Sequence, residues 1–533
     1  MKKKRVAGED PNVIELSGPG TRIPQRVSVS ADGMVSTQHY LATEAGVEML
    51  HRGGNAVDAA VAAAFALGVC EPASSGLGGQ TMMLLHLSRN GRTVAIDGSS
   101  HAPHRAIPGT LSLEERRNGY RATTVPSTPR VLDYVLRRYG SLPWNEVLEP
   151  AIEYAEGGFE VTPLQRSLAR KVRKRLRDGS AASLFLKGGR KTYRVGERFR
   201  QPVLAATLKR LAEKGVDDFY NGKIARLIHR DMVKNDGLIR RDDLAQLRWP
   251  IERRAVSCQF ENKRVVTFPP PGAGRTLVEM LNILNELPVK MRNLDSPEGI
   301  LLLAKVMNQA YRDRLDRPFD PNFYAQVSKK RMLSVDYARK IARRIRTEGD
   351  TTHLSVMDKA GNAVSLTQSI ERVFGACVAT PELGFLYNNY LMAFEQEDIR
   401  HPYYLRPNAV PWASVAPTIV FEGRRPWLVI GSPGSERITP SVLQVLLRLR
   451  RQSAFEAVDA PRFYCDMEGK VSLEASRMRD DIPDFLERHG FTVDIREPYS
   501  FYLGCVQMVV REGELFTGVA DPRRDGAAGG PHR

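Results

Sequence analysis

Hydroxyls and one imidazole crowd the stretch Asp350-Thr351-Thr352-His353-Leu354-Ser355-Val356. A hydroxyl is a poor nucleophile until an adjacent base activates it, so the chemistry of this stretch turns on which base stands nearby. Apolar and polar residues alternate from Thr352 to Val356 and again from Ala363 to Leu366, which predicts two strands. Asp358, Gly361 and Asn362 supply turn chemistry between them. In such a strand His353 falls on the face opposite Thr352. A threonine opening a buried strand says by itself no more than β-propensity. Five cysteines (Cys70, Cys258, Cys377, Cys465, Cys505) are odd in number and widely spaced, and no CxxC or HExxH pattern occurs. Neither a disulfide framework nor a zinc site is implied, and no cofactor motif is present.

The surroundings of the strand pair carry more than its pattern. DTTHLSVMDKAGNAVSLTQS (350–369) resembles the signature of the γ-glutamyltranspeptidase family, which are N-terminal-nucleophile hydrolases. GGNAVDAAVAAAFALGVCEPASSGLGGQ (53–80) resembles that family's early helix and glycine-rich turn. TTVPSTPRVLDYVLRRYGSLPWNEVLEPAIEYAEGGF (123–159), FYNGKIARLI (219–228) and PPPGAGRTLVEMLNIL (269–284) continue the series. After the threonine come GFLYNN (384–389), APTIV (416–420), GSPGSERI (431–438), APRF (460–463) and DPRRDG (521–526). So many segments in order identify the chain as a member of that family.

The resemblance implies a precursor that cuts its own backbone between Asp350 and Thr351. Thr351 then carries both a hydroxyl nucleophile and a free α-amine. An α-amine titrates near pH 7.7–8.0, suited to act as base near neutrality, so one residue supplies attacker and base. His353 is then not required for catalysis. Ser369 stands where the family has a second threonine that hydrogen-bonds the nucleophile, and it keeps the hydroxyl. Thr367 is read as strand support. Gly434 and Ser435 match the oxyanion loop, whose donors are backbone N–H groups. Ser435 replaces a glycine there, which makes its backbone dihedrals the point to check.

Departures from the family fall on the substrate side. Ser99 occupies the place of an arginine that anchors a glutamyl α-carboxylate, and a serine does not replace that bidentate charge. The aspartate that anchors the α-amine is Ala393, although Asn388 and Asn389 before it are present. Tyr390 stands for a helper glutamine or glutamate. Glu371 matches an amine-binding position, and Arg372 offers a replacement cation. Of two serines that hold the carboxylate, Ser414 remains beside Ala413. The expected pocket is less polar, lined partly by Tyr390, Met392 and Trp412, behind a shortened lid segment between Phe394 and Trp412. The leading expectation is a self-processing amidohydrolase or acyltransferase acting on a small-molecule amide other than simple glutathione. Ordinary γ-glutamyl hydrolysis or transfer, and a non-catalytic binding protein on the same fold, are the alternatives.

The fold that the resemblance implies is α+β, a four-layer αββα sandwich of the N-terminal-nucleophile hydrolase type. Residues 1–350 are expected as a large, mostly helical chain and 351–533 as the small chain bearing the reactive centre, together a heterodimer. At 533 residues, length alone would suggest several domains, whereas the family builds one globule. The net charge of +17 concentrates in 161–200, with thirteen Lys/Arg against two acidic residues. Leu164, Leu168, Val172 and Leu176 recur every four residues, which predicts one amphipathic helix with a basic outer face. No aromatic platform or helix-turn-helix cue accompanies it, so a solvated surface is expected rather than a nucleic-acid partner. Residues 56–70 are too short and alanine-rich for a membrane span and read as a buried helix begun by Asn55. The start MKKKRVAGEDPNVIELSGPG lacks an apolar signal core, so a cytoplasmic location is expected. The stretch 341–350 is expected as a loose tail once severed, and PRRDGAAGGPHR as a frayed terminus.

Overall fold

The computed structural model describes residues 25–287, 293–316 and 349–531. The N-terminal stretch and nearly all of the expected severed tail lie outside the described residues. Of that tail only Gly349 and Asp350 are seen, as the first residues of a strand.

The predicted strand pair forms as Gly349–Asp358 and Ala363–Arg372, antiparallel in register Leu354 with Leu366 and Val356 with Val364. The turn closes as its residues suggest. Asn362 N donates to Asp358 Oδ1 at 2.9 Å, its side-chain amide donates to Oδ2 at 2.8 Å, and Gly361 takes φ 87°. Asp358 Oδ2 also accepts the Ala56 N–H at 2.9 Å, tying the turn to the start of helix Ala56–Cys70. That helix begins with a capping box. Asn55 Oδ1 accepts Val57 N at 2.7 Å, and Asp58 Oδ2 accepts Asn55 N at 2.7 Å.

Two seven-stranded sheets stack face to face. One runs in the order Ala527–Gly529, Gly33–Thr37, Gly349–Asp358, Ala363–Arg372, Gln80–Leu87, Arg92–Gly98, Ile251–Arg253. The other runs Val27–Ser30, Leu515–Ala520, Gln507–Glu512, Arg425–Gly431, Thr418–Glu422, Lys263–Thr267, Val256–Phe260. Three apolar cores separate four layers. Helices Tyr40–His51, Ala56–Cys70, Thr128–Tyr139 and Trp144–Gly157 cover the first sheet, with Leu354, Val356, Leu366 and Ile370 beneath them. Helices Gly274–Asn285, Pro297–Asp316 and Ile438–Arg448 cover the second. Met34, Met82, Phe268, Met357, Phe421, Val429 and Phe516 fill the space between the sheets. The result is the αββα sandwich, and both sheets mix strands from either side of residue 350.

Alternation along Thr352–Val356 does not separate core from solvent, because both faces are buried. Leu354 and Val356 meet the helices, while His353 and Ser355 face the second sheet through hydrogen bonds. His353 Nδ1 lies 2.9 Å from Thr367 Oγ1, and Ser365 Oγ donates to Ile430 O at 3.1 Å across the sheet gap. Ser355 Oγ donates to Gln507 O at 3.1 Å. Buried polar groups need such partners, and here the partners join the sheets.

Two expectations are corrected. The basic helix is two, Pro163–Lys171 and Arg173–Asp178, broken at Val172, although Leu164, Leu168, Val172 and Leu176 are all buried. The C-terminal stretch is not frayed over its described residues, 522–531. Ala527–Gly529 pairs with Gly33–Thr37, and Arg523 and Arg524 are among the most buried side chains. Arg523 bonds Glu474 Oε2 at 2.6 Å and Asp521 Oδ1 at 3.1 Å, so its charge is compensated inside. Among the described residues no helix is long and apolar enough to cross a membrane.

Candidate functional site

Thr351 sits at an irregularity in its ladder. Asp350 opposes Glu371 and Thr352 opposes Gln368, so the register slips at Thr351. A bulge of this kind re-aims a side chain out of the regular ladder. Thr351 Oγ1 donates to Ser369 Oγ at 3.4 Å, and Ser369 Oγ also accepts the Glu371 N–H at 2.8 Å. The Thr351 carbonyl accepts from Arg524 Nη1 at 3.1 Å. The same guanidinium nitrogen reaches Glu71 Oε1 at 2.7 Å and Ser74 Oγ at 3.3 Å, while Glu71 Oε2 accepts the Thr352 hydroxyl. The adjacent threonines therefore part company: Thr352 serves a buried ion pair and Thr351 faces Ser369.

Tyr390 enters from the turn Tyr390–Ala393, and its hydroxyl lies among Ser369, Gln80 and Glu371. Gln80 Oε1 accepts Ser100 N at 2.8 Å and Ser100 Oγ at 2.9 Å. Thr124 Oγ1 stands 2.7 Å from both Ser100 Oγ and Asn388 Oδ1. This chain of hydroxyls and amides runs from Thr351 to Asn388 through the interior, and such networks hold their members in one arrangement.

The Gly431–Ser435 loop follows strand Arg425–Gly431 and ends in the turn Ser435–Arg437, which packs against the strand carrying Thr351. Gly431 lies on the His353 ring, where an added Cβ would stand 2.2 Å from Cε1. Gly434 has φ 116°, and Ser435 has φ 53°. A side chain in the left-handed region costs roughly 1–2 kcal/mol, so Ser435 holds its glycine-like backbone at some strain. Ser432 Oγ accepts Cys505 N at 2.9 Å, which fastens the loop.

Glu371 is half-buried at φ 79°. Burial pushes its carboxyl up to about 7, and the Glu436 charge pushes the same way, against pulls from Tyr390 and Arg372. Burial, with Glu371 next, holds the Tyr390 phenol well above its ordinary range. Burial pushes His353 down to about 3, so its ring is neutral at ordinary pH. Because the Glu371 carboxyl binds its proton more tightly in the fold than in the open chain, its stabilising share is complete below about 4.5 and disappears as pH rises through about 7. Glu371→Gln is expected to gain thermal stability relative to wild type between pH 4.5 and 8. Melting curves at the two ends check this, and a pH-independent difference would refute it.

Other residues singled out in the sequence are placed as follows. Ser99 Oγ donates to Asp97 Oδ1 at 2.6 Å, and Asp97 in turn pairs with Arg253 at 2.6 Å. Asn389 Oδ1 accepts Arg372 N at 3.1 Å, and its amide donates to Arg117 O at 2.8 Å. Ser414 Oγ donates to Glu436 Oε1 at 3.2 Å. Trp412 lies under Arg314 and meets the Tyr403 ring edge to face, and the segment before it is pinned by Glu395 N to Tyr403 O at 2.8 Å. Thr351, Ser369, Glu371 and Tyr390 thus converge, while Ser99 and Asn389 spend their polar atoms on neighbouring protein groups. Glu71, Gln80, Glu436 and Arg524 escape sequence reasoning. Their only signals are their places inside CEPASSGLGGQ, GSPGSERI and DPRRDG.

Residues 42–530 match the family description Gamma-glutamyltranspeptidase. A protein named glutathione hydrolase proenzyme from Escherichia coli (strain K12) is 33% identical, covering 92% of this chain and 90% of its own length. One named acylase ACY 1 proenzyme from Pseudomonas sp. (strain SE83) is 36% identical over 83% of this chain and 84% of its own. The crystal structure of cephalosporin acylase from Bacillus halodurans superposes with a TM-score of 0.83 at 28% identity, over 99% of this chain and 100% of that one. With the match running from the first described helix to the last strand, the chain belongs to the gamma-glutamyltranspeptidase family and is an amidohydrolase.

Proposed function

We propose that the chain cleaves itself between Asp350 and Thr351 and then uses Thr351 as an N-terminal nucleophile on an amide substrate. In the uncut chain the Thr351 hydroxyl attacks the Asp350 carbonyl carbon. The peptide C–N bond breaks, the hydroxyl proton passes to the departing nitrogen, and water then cleaves the resulting ester. The freed α-amine takes the Oγ1 proton as Oγ1 bonds to the substrate carbonyl, and returns it to the leaving amine as the amide bond breaks. Water or a second amine releases the acyl group from Oγ1. Ser369 orients the hydroxyl, and the backbone N–H groups at Gly434 and Ser435 face the developing oxyanion.

The observation that carries this reading is the Thr351–Ser369 contact at a ladder irregularity, beside the Gly434–Ser435 turn. The relatives' names as proenzymes agree with self-cleavage. Substrate choice follows from the anchors. Ser99 is bonded to Asp97 and Ser414 to Glu436, which leaves a glutamyl α-carboxylate without its usual charged seat. Simple glutathione is therefore not the favoured substrate. Purified protein on a denaturing gel should give two fragments, with masses matching 1–350 and 351–533. Mass spectrometry of active protein that finds Thr351 still joined to Asp350 would sink the proposal.

A further inference from the structure

Glu436 lies within the turn Ser435–Arg437, directly after Gly434 and Ser435, and in the sequence only its place inside GSPGSERI marks it. In the structure its carboxylate is gripped from two sides. Oε1 accepts the Ser414 hydroxyl at 3.2 Å, and Oε2 forms an ion pair with Arg314 Nη1. Arg314 comes from helix Pro297–Asp316 and lies over the rings of Tyr311 and Trp412, 5.0 and 5.3 Å from their centroids. The Tyr311 hydroxyl donates to the Glu436 main-chain carbonyl and lies 3.1 Å from Thr439 Oγ1, so the residue is held at both ends. Glu436 is also close enough for its charge to act on Glu371, the neighbour of Ser369 and Tyr390.

A hydroxyl donor beside a guanidinium is a seat for a carboxylate. Here a carboxylate of the chain itself fills it. An incoming carboxylate would have to displace Glu436, leave it unpaired in a largely buried place, and approach Glu371 as well. An ammonium group meets the opposite situation, because Glu371 and Glu436 both attract it.

We propose that Glu436 is a resident occupant of the anion seat beside Thr351. The enzyme therefore rejects acyl groups that bear a carboxylate and takes uncharged or ammonium-bearing ones. This rests on the acyl-transfer reading of Thr351 and adds a specificity-determining residue to it.

Four p-nitroanilides separate the groups: γ-glutamyl carries carboxylate and amine, glutaryl the carboxylate alone, 4-aminobutyryl the amine alone, and butyryl neither. The processed wild type should show a kcat/KM for the two carboxylate-free compounds at least about tenfold above that for the other two, the size of one charge-assisted hydrogen bond. Glu436→Gln frees the Arg314 guanidinium and should shift the ratio of glutaryl to butyryl turnover upward by about tenfold or more. Misfolding does not raise a ratio of rates, and the processed fraction on a gel normalises both proteins. A wild-type preference for glutaryl or γ-glutamyl anilide, or a ratio unmoved in Glu436→Gln, would overturn the role of Glu436 while leaving catalysis standing. No turnover of any anilide by fully processed protein would overturn the acyl-transfer reading and this inference together.

Discussion

Thr351→Ala is expected to give a single uncut chain whose amide turnover falls by about 10⁴-fold or more, the scale of losing a nucleophile. Alanine removes the hydroxyl that attacks both the Asp350 carbonyl and the substrate, so processing and turnover fall together. Thr351→Ser keeps the hydroxyl and should process and turn over, more slowly. Losing the methyl frees χ1, so the attacking oxygen is held less firmly toward Ser369. Circular dichroism of the alanine variant should match wild type, because the Thr351 hydroxyl's bond to Ser369 is a long one, at 3.4 Å, while its carbonyl keeps Arg524. Two bands from Thr351→Ala, at the wild-type sizes, would contradict self-cleavage at this bond.

Arg524→Met is expected to be strongly damaging, although the residue stands 173 positions along the chain from Thr351. The guanidinium is 1% exposed and bonds Glu71, Ser74 and the Thr351 carbonyl, with Phe501 under its face at 4.4 Å. Its removal takes the cation away from Glu71, whose buried carboxylate is left charged against the neutral hydroxyls of Thr352 and Ser74. Breaking one side of such a pair typically costs about 3–5 kcal/mol. The Thr351 carbonyl loses its donor as well, so slower processing should accompany the lower melting temperature. Glu71→Gln in the Arg524→Met background removes the orphaned charge and should restore part of the stability but not the grip on Thr351. Recovery of both together would show that the arginine acts only through the ion pair.

Local patterns were readable in the sequence wherever neighbours along the chain decide the outcome. The Thr352–Val356 and Ala363–Leu366 alternation, the Asp358–Asn362 turn and the Asn55 cap each involve residues within a few positions of one another. The break at Val172 was not readable, because apolar spacing continues through it and only the backbone records the change. The clamp on Thr351 was not readable either. Glu71 and Arg524 stand 453 residues apart, and separation of that order leaves no periodic trace. PRRDGAAGGPHR has the composition of a frayed end, yet a strand partner at Gly33–Thr37 holds Ala527–Gly529, and buried acids at Asp521 and Glu474 take Arg523 into the interior. Within the site, Thr351, Ser369, Glu371 and Tyr390 are visible from their motifs. Glu436 is visible only once Arg314 and Ser414 close on it.

Both sheets alternate between the segments before and after residue 350. Five borders join them among the described residues: Val27–Ser30 with Leu515–Ala520, Lys263–Thr267 with Thr418–Glu422, Gly33–Thr37 with both Gly349–Asp358 and Ala527–Gly529, and Gln80–Leu87 with Ala363–Arg372. A nick at 350 therefore makes two polypeptides without making two bodies. Dissociation would strip main-chain donors and acceptors along every one of those borders and open all three apolar cores, so it is the same event as denaturation. The halves need no covalent staple to stay together. Once separated in denaturant, they must regain the entire architecture as a second-order process, with no tether to hold their concentrations high.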